Sequence, residues 1–272
     1  MEVITLGLGA AAAYISKDGI EKLLGPTADY LGKSLAEFTQ KRIENVGKIF
    51  QSAERKLGSK IDAPGEVPPK ILKSVLDEGS FASDPLTAEY FGGILASSRS
   101  ENGRDDRGAR LAKIVDSLST YQLRCHFLVY GSIRQLFRNQ GLSMAFEDRE
   151  KMQIFIPFST FAAAMDFSQQ EADQANSLIP HIFFGLSRDG LIADHVRWGP
   201  KESVREAFAE APEGGAICSP SAFGVELYLS AFGHNDKQLD FIFDANLDVT
   251  VEGIPSSYVN VMATKNATDT TS

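Results

Sequence analysis

Thr27 to Leu57 reads TADYLGKSLAEFTQKRIENVGKIFQSAERKL, a run with no proline. Its apolar side chains fall at Ala28, Leu31, Leu35, Phe38, Val46, Ile49, Phe50, Ala53 and Leu57. Gaps of mostly three and four residues bring them to one face of a helix. At a rise of about 1.5 Å per residue that helix spans roughly 45 Å, more than a small domain is wide. Part of it is therefore expected against another helix or another subunit. The face predicted to meet that partner carries Leu31, Leu35, Phe38, Val46, Phe50 and Leu57. Arg42 and Asn45 interrupt the stripe, either at a partner contact or at a turn facing water. Gly58 is the expected C-cap. Gly25 followed by Pro26 is the expected boundary before the run.

Shorter helices follow. Val67-Pro68-Pro69 opens one through Ile71, Leu72, Val75 and Leu76, and Gly79 closes it. Asp84-Pro85 combines an N-cap with proline at the first helical position, so a helix through Tyr90, Phe91, Ile94 and Leu95 is expected. Ser97 to Arg110 is polar, with Arg99, Arg104, Arg107 and Arg110 set among Glu101, Asp105 and Asp106. It reads as a solvated loop of mixed charge, with an anion-binding patch as the alternative. After a short helix at Leu111–Leu118, Ser119-Thr120 caps a strong one from Tyr121 to about Arg138.

The second half changes character. Ile154 to Phe158 is a short apolar run with Pro157 inside it, which predicts an edge strand or a loop anchor. Ser168 or Asp166 caps a helix through Ala172, Leu178 and Phe183, with Pro180 as a potential kink. The turn LSRDGLI (186–192), a short helix at Val204–Phe208, a turn at Gly214-Gly215 and a last helix capped by Ser219 or Ser221 follow. That order fits a small winged-helix-like unit whose candidate recognition helix begins near Ser221. Alternation at Leu247, Val249 and Val251 predicts a strand, and residues from Ala263 onward are polar and expected to fray. The expected fold is mainly α: a helical N-terminal block with one long amphipathic helix, then a winged-helix-like α+β unit. Its parts are an apolar segment and helix over 1–24, a helical domain over 25–140, an α+β domain over 141–262 and a tail over 263–272.

The chain has 272 residues, enough for one large domain or two small ones. Its net charge of −9 is unevenly placed. Residues 1–139 hold 19 Lys+Arg against 17 Asp+Glu; residues 140–272 hold 8 against 19. The acidic second half repels phosphate backbones, so nucleic acid is an unfavoured partner. The helix from Ser221, SAFGVELYLSAFG, has no lysine or arginine at all. Cys125 and Cys218 are the only cysteines; they fit no zinc spacing and read as buried small hydrophobes in a reducing cytoplasm.

Val3 to Ile15 reads VITLGLGAAAAYI, without a charge. It is shorter than the roughly 20 residues of a spanning helix. Glu2 stands where a signal peptide would be basic. Two readings stay open: a buried helix or oligomer contact, and a segment that enters or lies on a membrane, with Val3, Ile4, Leu6, Leu8, Tyr14 and Ile15 as the contact residues.

Several segments together resemble the Abi-alpha family of bacterial proteins, named for abortive infection. They are GPTADYLGKSL (25–35), Arg42-Ile43-Glu44-Asn45, VPPKILKSVLDEGSFASDPLTAEYFGGILASS (67–98), LAKIVDSLSTYQLRCHFLVY (111–130), LSRDGLI (186–192) and ICSPSAFGVELY (217–228). The likeness covers roughly residues 20–235 and rests on apolar and turn patterns. It departs from the family where Phe91-Gly92-Gly93 replaces the usual Trp-Ala before Ile94-Leu95. The resemblance implies a cytosolic or membrane-associated protein of phage defence, one that halts an infected cell before phage spread. It brings no catalytic residues.

Motifs for chemistry are missing from the sequence. No GxxxxGK[ST], HExxH or GxSxG occurs, and Gly7-Leu8-Gly9 lacks the third glycine of a dinucleotide loop. His126, His181, His195 and His234 are scattered. Asp189, Asp194 and His195 near Trp198 form the one local cluster with metal-binding residue types, and a turn with solvated charges explains it as well. The expectation is a non-enzymatic anti-phage effector with no cofactor and no metal. It would act by self-association as a homo-oligomer, by membrane engagement, or by binding a phage or host protein. A nucleic-acid-binding winged-helix regulator is the alternative. Placement is expected in the cytoplasm or at the periphery of the inner membrane.

Overall fold

The computed structural model describes residues 32–82 and 84–264. The chain is mainly helical with a small four-stranded antiparallel sheet. It divides into two units: a helical one of Met1–Ser117 with Ser230–Asn235, and an α+β one of Leu118–Leu229 with Asp236–Ser272. The strong helix from Tyr121 thus falls in the second unit, whereas the sequence reading closed the first domain at 140.

The described part of the helical unit begins with α1 (Gly32–Leu57), then α2 (Pro69–Asp77), α3 (Pro85–Ser97) and α4 (Gly108–Ser117). Gly58, at φ 51°, ends α1. The Asp84 carboxylate accepts from the Leu86 and Thr87 amides at 2.9 and 3.3 Å, the cap that Asp84-Pro85 announces. α3 is buried almost all round, with Leu86, Tyr90, Phe91, Ile94 and Leu95 in the core. α1 packs along it. The approach is close because of Gly92 and Gly93. A Cβ on Gly92 would lie 2.5 Å from the Ser52 side chain, and one on Gly93 only 1.7 Å from the Ala231 carbonyl oxygen. Gly92 and Gly93 are thus the residues that let neighbours reach both sides of α3.

Arg42 and Asn45 are bonded within the chain rather than left at a turn facing water. Arg42 Nε donates to Ser80 Oγ and Asn45 Nδ2 to the Ser80 carbonyl, both at 3.0 Å, fastening α1 to the 3-10 turn at Gly79–Phe81. The arginine loop is fastened as well. Arg99 donates to the carbonyls of Lys60, Ile61 and Ala63, and Arg107 pairs with Asp105.

The α+β unit is built on α5 (Thr120–Phe137), opened by a capping box in which Ser119 and Gln122 exchange side chain-to-backbone bonds. After α6 (Phe146–Arg149) come β1 (Ile154–Pro157), α7 (Phe158–Met165), α8 (Gln169–Asp173) and α9 (Ala175–Arg188). Then follow β2 (Arg197–Gly199), α10 (Lys201–Arg205), β3 (Gly215–Cys218), α11 (Ala222–Ala231) and β4 (Met262–Ala263). The strand order is β2-β3-β1-β4, antiparallel throughout. Side chains alternate across the sheet: Ile154, Ile156, Ala216 and Cys218 share one face, Phe155 and Ile217 the other. Phe155 and Ile217 are covered by Val204, Phe208 and Ala211, so the segment between β2 and β3 folds back over the sheet.

Five expectations change here. β1 is an inner strand rather than an edge; its proline is tolerated because β4 pairs only Ile154 and Phe155, leaving Pro157 beside β3 alone. The predicted helix through Ala172 and Phe183 is two, α8 and α9, parted at Gln174, with Pro180 inside α9. Leu247, Val249 and Val251 are buried but form no ladder; the last strand is Met262–Ala263, so Ala263 belongs to the sheet and not to a frayed tail. The helix from Ser221 is largely core, with Val225, Leu227, Tyr228 and Leu229 at 1% exposure or less, and only Ser221, Ala222, Phe223 and Glu226 half-buried.

Candidate interaction surface

A cluster of interior polar groups in the α+β unit, around Tyr130 and His126, is bound to backbone carbonyls. The LSRDGLI turn closes α9 with two reversed bonds, Leu191 N–H to the Leu186 carbonyl at 2.8 Å and Gly190 N–H to the Ser187 carbonyl at 2.9 Å. Gly190, at φ 70°, supplies the left-handed residue this closure needs. The turn holds the Leu191 carbonyl where Tyr130 Oη donates to it at 2.6 Å. Ser221 N–H donates to the same phenol at 3.1 Å, and Ser221 Oγ donates to the Gly190 carbonyl at 2.5 Å. His126 Nε2–H donates to the Gly224 carbonyl at 3.1 Å. A Cβ on Gly224 would lie 1.9 Å from Tyr130 Oη.

Burial sets the protonation of this cluster. It pushes His126 down to about 3, against the opposing bond to Gly224, so the imidazole is neutral. It raises Tyr130, and it raises Cys125 well above the usual thiol range, with Cys218 adding to that effect. Cys218 itself is pushed up to about 12. Protonated thiols are poor nucleophiles, so these residues serve packing.

In the helical unit, Glu89 gathers Ser52, Arg55 and Lys56 from α1. Burial by itself raises its pKa; attraction to Lys56 and bonds from Lys56, Ser52 and Arg55 outweigh that and hold it below its ordinary value. Each donor is matched by this one carboxylate, which closes a helix seam.

The outer face of α9 is different. Ile179, Ile182, Phe183 and Leu186 point inward, while Ser177, His181, Phe184 and Arg188 lie outward at spacings of four, three and four. His181 Nε2 meets Ser119 Oγ at 3.1 Å, and Arg188 pairs with Asp189. Phe184 is 60% exposed. Its ring stands nearly perpendicular to that of Trp198 on β2, at 76° and 4.8 Å between centroids. Trp198 stacks on Phe183 at 5.9 Å, and Phe183 on Phe161 at 5.5 Å. Phe161 and Phe183 are fully buried. A stack rooted in the core therefore ends at a fixed aromatic corner on the surface. Other exposed rings have cationic neighbours: Phe81 lies under the Arg42 guanidinium at 4.3 Å and Phe146 beside Arg149 at 5.9 Å.

The predicted partner face of the long helix is placed only in part. Val46, Phe50 and Leu57 are half-buried, while Ile49 and Ala53 of the same run are core. Leu31 and the side chains of Leu35 and Phe38 lie outside the described residues, as do Val3, Ile4, Leu6, Leu8, Tyr14 and Ile15. Among the described residues no helix is long and apolar enough to cross a membrane. Asp194 and His195 are exposed, and the structure joins their neighbour Trp198 to Phe184 rather than to them. The aromatic corner was missed in the sequence because Phe184 and Trp198 are fourteen positions apart with a turn between them; the one available signal was Phe183-Phe184, a pair on adjacent helix positions of which only one side chain fits inside.

No protein-family model, no curated protein and no solved structure matches this chain.

Proposed function

We propose that this chain is a non-enzymatic binding protein acting in abortive infection, and that it works by engaging a phage or host protein. The setting follows from the resemblance of the segments quoted above. The mode follows from one observation: Phe184, mostly exposed, set against Trp198 on a stack anchored in the core. Exposed aromatic side chains held rigidly are the residue types that dominate protein interfaces. In this reading the protein works in the cytoplasm. Self-association through Val46, Phe50 and Leu57 and membrane engagement through Val3–Ile15 are the other proposed modes.

The test is expression of the chain in a bacterial host challenged with a panel of phages at low and high multiplicity. Protection at low multiplicity with collapse of the culture at high multiplicity is expected, and loss of both in Phe184→Ala. Unchanged plating of every phage would sink the abortive-infection reading. Protection that survives Phe184→Ala would sink the binding mode.

The order β2-β3-β1, with α9 preceding the β2–β3 hairpin, supports a second reading, a winged-helix regulator of nucleic acid. In it α9 takes the recognition role that the sequence placed near Ser221. The only arginine of α9, Arg188, is paired with Asp189, and phosphate contacts supply most of the affinity in such proteins, so this reading ranks second.

A further inference from the structure

We propose that the Phe184–Trp198 corner receives a basic side chain of an extended, arginine-bearing segment of a protein partner, laid along the open edge of β2. This rests on the protein-binding reading above and names the chemistry of the partner.

The edge follows from the sheet register. Phe158 N–H donates to the Gly214 carbonyl at 3.0 Å, which makes that opposed pair a hydrogen-bonded one. Bonded and non-bonded pairs alternate in an antiparallel ladder. The Pro157–Gly215 pair is therefore non-bonded, as proline demands, and Ile156–Ala216 is bonded. Ala216 thus turns its amide and carbonyl toward β1, and Gly215 and Ile217 turn theirs toward Gly199 and Arg197 of β2. Trp198, between them, is left with its N–H and C=O directed away from the sheet. β2 ends the strand order, and no described strand pairs with its far side. Within β2, the residue that turns its backbone pair outward is the residue whose ring forms the corner. A strand added here would be bonded at Trp198 and would carry its own side chain to the Phe184 and Trp198 rings.

Charge selects the incoming side chain. Residues 166–213 hold nine Asp and Glu against four Lys and Arg. Arg188, four residues after Phe184, pairs with Asp189, and Arg197, next to Trp198, pairs with Glu206. Asp194 and Glu202, just before and just after β2, are exposed and make no ion pair among the described residues. Two aromatic walls on a stretch of chain rich in carboxylates favour a cation, and arginine above lysine, because a planar guanidinium also stacks.

Trp198 is the only tryptophan, so its emission reports on the corner directly. The full chain is titrated with a short peptide alternating arginine and valine, with its glutamate counterpart, and with duplex DNA. A saturable change in emission with the arginine peptide is expected, weakened by salt and absent with the other two. Phe184→Ala should weaken binding by about tenfold with little change in melting temperature. The pair Asp194→Lys and Glu202→Lys, both at exposed positions, should weaken it in the same direction. No response to the arginine peptide, an equal response to the glutamate peptide, or a stronger response to DNA overturns the inference. So does full affinity in the charge-reversed pair. Phage protection separates the two readings. Protection lost in Phe184→Ala without peptide binding leaves the binding function standing and removes this partner; peptide binding with protection intact in Phe184→Ala does the reverse.

Discussion

Glu89 in the helical unit and His126 in the α+β unit are both held below their ordinary titration, by opposite means. Glu89 stays charged at a half-buried seam because Lys56, Arg55 and Ser52 surround it. His126 stays neutral because burial outweighs the bond that its ring donates to the Gly224 carbonyl. The Glu89 seam joins two helices through ions that water still reaches; the cluster at His126 and Tyr130 joins its elements through neutral donors and backbone carbonyls. The two units should therefore fail under different stresses.

Acid is the strongest way to separate them. The unfolded chain protonates His126 below 6.5, while the folded unit resists until about 3. Stability is then full above pH 6.5 and falls through that window by up to about 1.4 kcal/mol per pH unit. Glu89 has the same sign with a lower window. Its folded pKa lies below 4.5, so its contribution is present above that pH and is lost as pH drops through the folded value. Urea melts followed by Trp198 emission, which reports on the α+β unit, should lose stability from pH 6.5 downward, and His126→Phe should flatten that slope. A slope unchanged by His126→Phe would break the contrast.

Packing gives the next effect. Gly93→Ala would put a methyl group 1.7 Å from the Ala231 carbonyl, which no rotamer relieves. A loss of about 3 kcal/mol is expected in chemical denaturation. A wild-type midpoint in that variant would mean that α3 does not make the approach described.

Tyr130→Phe removes the bond that holds the Leu191 carbonyl and leaves that carbonyl buried without its phenol donor. About 1–2 kcal/mol should be lost, and the Trp198 transition should shift with it. The smallest effects should come from the caps. Asp84→Ala in one unit and Ser119→Ala in the other should each cost about 1 kcal/mol. Unequal losses would sharpen the comparison, since Ser119 also meets His181.

The legible parts of the fold share a physical origin. Asp84-Pro85, the Ser119–Gln122 box and Gly58 act within one helical turn, so their residues carry the information by themselves. The caps and helices they imply are in the structure, and the mainly helical class with a small sheet follows from them. The same local reading went wrong where distant chain segments decide. Pro157 argued for an edge strand, yet β3 and β4 flank β1 and only its last residue is spared. The alternation at Leu247, Val249 and Val251 is real as burial and not as a ladder, because no strand runs beside it. Arg42 and Asn45 looked like breaks in an apolar face until Ser80 met them.

The candidate surface lies wholly on that second side. Local sequence specified the α9 helix, the turn at Gly190 and an aromatic pair at Phe183-Phe184. Which of those two rings enters the core, and that Trp198 returns to stand against the other, depends on β2 pairing with β3 and on the Leu191 carbonyl being held by Tyr130. Backbone propensity and capping act over a few residues and can be read in order along the chain. The choice of neighbour across a sheet or a core is made by residues far apart in that order, and only the folded arrangement brings them together.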